Sequence, residues 1–314
     1  MQDQRTERNT CLANAYDPIG ERRALVPLLA GAVLISFSSV FVRLAEVAPT
    51  LSGFYRVMFG ALFLGLAAGV RRLSWRTTGR VYGLLALCGL FFALDLYFWH
   101  ISILSIGPGL ATIISNFQVF FLGFVGVALL GEPLGRRLML AVPLALSGLV
   151  MIVGIGWAQL AASYRLGLVF ALVTALCYAA YLLTLRKTQS LAARLDPLAG
   201  LTLISLVSAL LLGLQVALEG GSFAIPNLRS LGALAGLGLG SQSVGWVLIT
   251  RALPRIRASL VGLSLMMQPA LAFVWDMLFF QRPTTGINLA GVALTLGAIY
   301  LGSTTSRKPV AQKL

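Results

Sequence analysis

At 58% hydrophobic and 11% charged residues over 314 positions, with a mean hydropathy of +0.89, the chain is too apolar for an ordinary soluble globular protein. A net charge of +14 would suit nucleic acid, but the basic residues are scattered between apolar runs, which argues against that partner. Cys11, Cys88 and Cys177 lie far apart, with the spacing of neither a disulfide framework nor a metal site.

In chain order, Met1–Gly20 is polar and of mixed charge, lacks a signal-peptide pattern and reads as a disordered tail. Ten apolar runs follow, at about 24–44, 50–70, 81–103, 109–130, 138–156, 166–185, 197–218, 230–250, 258–280 and 285–303. Each suffices to cross a bilayer core of about 30 Å at roughly 1.5 Å per residue. The expected fold is an all-α membrane protein with ten transmembrane helices, the first an uncleaved anchor.

Charge sets the expected orientation. With the N-terminus inside, the inner segments hold nineteen Lys and Arg, including Arg22, Arg71, Arg136, Arg186 and Arg251, whereas the outer loops hold only Arg165, Arg229 and Arg282. The positive-inside rule then places both termini in the cytoplasm, with the lipid bilayer as the chain's main partner.

The sequence also repeats itself. "PTLSGFYRVMFGALFLGL" from Pro49 aligns with "PLAGLTLISLVSALLLGL" from Pro197, and "NFQVFFLGFVGVALLGEP" aligns with "MMQPALAFVWDMLFFQRP", which pairs Gln118 with Gln268. Several such pairs in one order, at offsets of about 140–150, indicate two halves of five helices each. An odd number of crossings turns the second half upside down, which gives an inverted repeat with the ligand site between the halves. The expected organisation is a tail at 1–22, repeats at 23–156 and 157–303, and a cytoplasmic tail at 304–314.

This arrangement resembles the EamA-type transporters of the drug/metabolite transporter superfamily. The resemblance rests on "ALLGEPLG" (128–135) closing the fourth run, "FYRVMFGALFL" (54–64) with its Arg56, and "LALSGLVMIVG" (144–154). Two features depart from the family: Gln281-Arg282 stands where Gly-Glu often recurs, and Gln118-Val119 stands where a proline is common. The resemblance implies efflux or exchange of small metabolites, commonly amino acids, across a bacterial plasma membrane.

Ionised groups are costly at membrane depth, about 2.5–3.5 kcal/mol on insertion scales, so each needs a partner, water or a neutral form. The intramembrane set is Arg43, Arg56, Asp95, His100 and Asp276, all placed by helix direction in one leaflet. Arg56 could pair structurally with Asp95 or Asp276, or meet a charged substrate group. Asp95 and His100 lie about 140° apart around their helix, Asp95 with Trp99 and Ser102, His100 with Tyr97 and Ile103. His100 is either a neutral hydrogen-bonding residue or a proton-sensitive one. Asn116, Gln118, Tyr178, Tyr181, Gln242, Trp246, Ser264 and Gln268 fall near mid-membrane, where an amide facing lipid would go unpaired. With Arg56, Asp95, Trp99 and His100 they make up the expected substrate-binding set.

Gly236 and Gly240, like Gly65 and Gly69, form GxxxG pairs that predict close helix contacts. Pro27, Pro143 and Pro269 are candidate kinks. The chain has no HExxH, no GxSxG and no paired-acid metal motif, and its single histidine leaves little acid–base chemistry. The expectation is therefore a transporter rather than an enzyme, without metal or other cofactor. It would export small-molecule substrates by alternating access, with a passive facilitator or exchanger as the alternative, and monomer and homodimer both open.

Overall fold

The computed structural model describes residues 18–130, 136–153, 160–191, 195–252 and 264–303, all of them in helices and short connections. The first apolar run forms α1 (Pro18–Ser36) and α2 (Ser38–Leu44), separated at Phe37. Then come α3 (Pro49–Val70), α4 (Gly79–Ile106), α5 (Pro108–Ser115), α6 (Gln118–Leu130), α7 (Arg136–Val153), α8 (Ala162–Leu191) and α9 (Pro197–Leu218). A composite span follows, made of α10 (Leu228–Gly236), a π-helical stretch over Leu237–Gly245, and α11 (Trp246–Ala252). It is succeeded by α12 (Met267–Phe280) and α13 (Gly286–Ser303).

Eight of these helical segments are long and apolar enough to cross a membrane, and the shorter Met267–Phe280 and Gly286–Gly302 are apolar too. The start of the ninth expected run, the Gly131-Glu132 loop, residues 1–17 and the tail at 304–314 lie outside the described residues; the last part of the expected N-terminal tail, 18–22, is instead the first turn of α1. Side chains such as Val70 (85% exposed), Leu218 (74%) and Leu210 (72%) point away from the protein, as suits a lipid-facing surface.

Local chemistry fixes several helix starts. Pro49, Pro108 and Pro197 occupy the first turn, where a missing N–H costs nothing. The Asp196 carboxylate accepts from Leu198 N at 2.8 Å, and Asn227 Oδ1 accepts from Ser230 N at 2.8 Å, each satisfying a free helix N–H.

Equivalent helices of the two halves pack against each other and run antiparallel. Gly53 of α3 faces Leu212 of α9 while Gly65 faces Thr202, so residue numbers rise on one helix as they fall on the other. Gly148 of α7 touches Gly291 and Thr295 of α13, and Gly302 lies beside Ala141. Asn288 Nδ2 donates to the Met151 and Ile152 carbonyls, closing the end of α7. The fourth span meets the ninth through Gly109 and Phe273. The third meets the sixth, with Gly167 on Ser105 and Cys88 Sγ 3.7 Å from Thr188 Oγ1. The first meets the eighth, with Gly31 on Gly245 and Gly236 on Phe41. Exchanging the halves maps this pattern of pairings onto itself.

One crossing is built twice. Gly89 of α4 lies against Val207 of α9, and Ser208 Oγ donates to the Gly89 carbonyl at 2.8 Å. Gly238 of the π-helical stretch lies in the same way against Phe59 and the Gly60 N–H of α3. A side chain at either glycine would force the helices apart. The GxxxG expectation is therefore only half right: Gly236 and Gly65 have neighbours, whereas Gly240 and Gly69 have none among the described residues within 4 Å of an added Cβ.

The breaks also differ from the proline expectation. Pro27 and Pro143 sit inside continuous helices, and Pro269 sits in the first turn of α12. The helices are interrupted instead at Phe37, at Asn116–Phe117, at Met266 and through the π-helical stretch. The interruptions at Asn116 and Met266 occupy equivalent places in the two repeats, each just before its glutamine, Gln118 or Gln268.

Candidate functional site: a polar cavity between the halves

The interrupted helices converge on a cavity of about 390 Å³. Arg56 and Asp95 enter it from α3 and α4, each at least nine-tenths buried (6% and 7% exposed). Asn116 and Gln118 come from the break in the fourth span, Gln268 from the start of α12, Tyr178 from α8 and Trp246 from α11. Trp99 stands one turn beyond Asp95 on the same face of α4. A helix break exposes backbone groups and redirects side chains, so breaks at membrane depth are tolerated where they line a cavity.

The Arg56 guanidinium is held in place. Its Nε donates to Gln242 Oε1 at 3.2 Å, and its Cζ lies 5.3 Å from the centroid of the Trp99 ring, within cation–π range. Gln242 Nε2 in turn donates to Ser205 Oγ at 3.4 Å. The Gln242 side chain lies directly on Gly60, the one residue type there that leaves it room. The π-helical winding carries Gln242 into this position.

Asp95 differs. Among the described residues its carboxylate makes no hydrogen bond and no ion pair, so the Arg56–Asp95 pairing weighed from sequence does not form as a direct contact. The Arg56–Asp276 pairing is excluded outright, because Asp276 is fully engaged elsewhere. Its Oδ2 accepts from Gly109 N at 3.1 Å and from Arg282 Nη1 at 3.1 Å, while its Oδ1 lies 3.7 Å from Arg43 Nη1. Arg282 Nη1 also donates to the Ile106 carbonyl at 2.8 Å. Arg282, read from sequence as an outer-loop residue, thus closes the end of α4 while Asp276 caps the start of α5. Gly107, at φ +88°, makes the turn between them, and a Cβ there would lie 2.7 Å from Asp276 Oδ2.

Four of the twelve expected residues do not line the cavity. Gln242 stands behind Arg56 as its support. Tyr181 packs into the apolar cluster around Phe92, stacked with Tyr178 at 5.7 Å. Ser264 is buried outside the lining. His100 points between α3 and α9 against Gly53, as its angular separation from Asp95 requires. The Pro49 carbonyl is close enough to act on the His100 ring, but neither nitrogen makes a hydrogen bond of ordinary geometry.

The sequence reading missed a set of hydroxyls: Ser36, Ser38, Ser39, Thr112, Ser115 and Thr174 all line the cavity. Their signal was the run "SFSS" (36–39) inside an otherwise apolar first span. Ser36 Oγ accepts from Trp275 Nε1 at 2.9 Å, and the Trp275 ring stacks on Phe37 at 4.6 Å, so the break in the first span is braced by α12. Ser38 Oγ, Ser39 Oγ and Thr174 Oγ1 have no hydrogen-bond partner among the described residues. Leaving such a group unpaired costs about 1–3 kcal/mol, which marks the cavity as a place for polar company.

A model of the EamA-like transporter family matches residues 22–154 and again residues 165–304. The chain belongs to the EamA-like transporter family. It is accordingly a multi-pass membrane transporter of the drug/metabolite superfamily rather than an enzyme, with its small-molecule substrate handled within the bilayer. One solved structure, described as "Crystal structure of protein", superposes on the transporter with a TM-score of 0.63 at 20% identity. It covers 92% of this chain and 99% of its own, a likeness of fold. No curated protein matches the chain at a significant level.

Proposed function

We propose that this transporter exports small organic metabolites, amino acids foremost, across a bacterial plasma membrane by alternating access. In this reading it comprises ten spans in two inverted five-helix halves, with both termini cytoplasmic. The antiparallel contacts between equivalent helices and the odd number of spans per half support the inversion. The cavity between the halves would face each side of the membrane in turn as the halves rock.

The observation that carries the substrate class is a guanidinium held in place in the wall of the cavity. Arg56 is braced through Nε, which leaves its two terminal nitrogens for a carboxylate, the geometry for which arginine is suited. Amides of Asn116, Gln118 and Gln268, with the rings of Trp99, Tyr178 and Trp246, supply hydrogen bonds and apolar walls of the kind small-molecule sites use. A cavity of about 390 Å³ matches a single small solute rather than a peptide or a lipid.

The test is counterflow of radiolabelled aromatic, aliphatic and sulfur amino acids in proteoliposomes, with and without a proton gradient. The reading expects at least one class to equilibrate faster than in empty liposomes. A response to the gradient separates a coupled exporter from a passive facilitator. No acceleration for any class removes the amino-acid reading.

A further inference from the structure

We infer that Asp95, with the hydroxyls of Ser38, Ser39 and Thr174, forms a subsite for a compact cation: the protonated amine of the transported solute. This rests on the reading of the cavity as a substrate site and specifies one end of it.

The two charged walls of the cavity are unequally satisfied. Arg56 has Gln242 and the Trp99 ring as contacts, whereas the Asp95 carboxylate, 7% exposed, makes no hydrogen bond or ion pair among the described residues and feels the Arg56 charge only through space. Three of the buried hydroxyls without a hydrogen-bond partner among the described residues, on Ser38, Ser39 and Thr174, belong to residues that line the same cavity. They come from the first and sixth spans, which hold equivalent positions in the two halves. A carboxylate and three hydroxyl oxygens in the lining of one cavity suit an N–H-rich cation, which offers several donors at once. The Trp99 and Tyr178 rings beside them add faces that attract positive charge.

Arg56 limits what kind of cation can enter. A bare amine would bring its charge close to the guanidinium, and a bare acid would bring its charge close to Asp95. A zwitterion places one group at each. The charges also belong to the first half alone: the repeat aligns Arg56 with Ile204 and Asp95 with Val244, so the second half offers no matching pair. The solute is therefore held off the axis of the repeat, on the first half.

The experiment measures ligand-induced thermal stabilisation and counterflow with the full-length transporter. The ligands are phenylalanine, leucine and methionine, each beside its deaminated acid and its decarboxylated amine, with sodium and with potassium. The expected result is that at least one zwitterion binds at least tenfold better than its deaminated acid. In Asp95→Asn that preference should fall to about twofold or less, and Ser39→Ala should weaken it partially while the protein still folds. Deaminated acids that bind as well as the zwitterions overturn the subsite while leaving the transport reading intact. So does a preference that survives Asp95→Asn. If binding requires sodium and ignores the amine, the oxygens hold a metal ion and the inference is wrong. If nothing binds and nothing is transported, this subsite and the proposed function fall together.

Discussion

The Asp276 carboxylate accepts a hydrogen bond from the backbone N–H of Gly109, 3.1 Å away and 167 positions earlier in the chain. An acid near the end of one half thereby caps a helix that opens in the other. Arg282 and Arg43 balance its charge, so this acid is a structural tie rather than a substrate contact.

Removing that tie should cost stability in two steps. Asp276→Asn keeps an acceptor for Gly109 but deprives both arginines of their anion. Buried pairs cost roughly 3–5 kcal/mol when one partner is removed, and the partial exposure of Arg43 puts the loss near the low end, about 3 kcal/mol. Asp276→Ala should lose the cap as well and melt lower still. Thermal denaturation in detergent, comparing the two variants, reads both steps.

Glycine substitutions should sort by contact rather than by motif. Gly238→Ala and Gly89→Ala each push a methyl into a helix crossing, and overpacking of this kind costs about 1–3 kcal/mol. Gly240→Ala and Gly69→Ala meet open space and should leave the melting temperature unchanged or raise it slightly. Equal effects at all four positions would mean that the helices do not cross where described.

Arg56→Lys should raise the half-saturation concentration for carboxylate solutes about tenfold, equivalent to about 1.4 kcal/mol. Lysine keeps the charge but loses the planar fork and the bond to Gln242. Transport assays over a concentration series would show the shift in half-saturation.

His100→Leu should leave the pH profile of transport unaltered and cost less than about 1.5 kcal/mol of stability. The ring is buried away from the cavity, and among the described residues neither nitrogen makes a hydrogen bond of ordinary geometry, so an apolar side chain of similar volume forfeits little. A pH profile that shifts in this variant would restore His100 as a proton-sensitive group.

The spans were legible because hydropathy and length are local properties. The start of the second helix at Pro49 and of the seventh at Pro197 could be read from single residues. Eight of the twelve expected site residues reach the cavity, since an amide or acid in an apolar helix has few other places to go. What stayed hidden depends on local winding or on a distant partner. Gln242 is carried beside Arg56 by a π-helical turn that no periodicity announces. The engagement of Asp276 by Arg282 depends on a left-handed residue, Gln281 at φ 50°, which folds the chain back. Hydroxyls such as Ser38 and Thr174 were passed over because serine and threonine are tolerated almost anywhere in a membrane helix.

The central claim is that the two halves stand inverted about the cavity. Arg71 and Glu219 terminate α3 and α9, equivalent helices of the two repeats, and both are exposed. Single cysteines placed at each, in a background without Cys11, Cys88 and Cys177, can be tested with a membrane-impermeant thiol reagent on intact cells. The account predicts that Glu219→Cys is labelled from outside and Arg71→Cys only after permeabilisation. Labelling of both from the same side would contradict it.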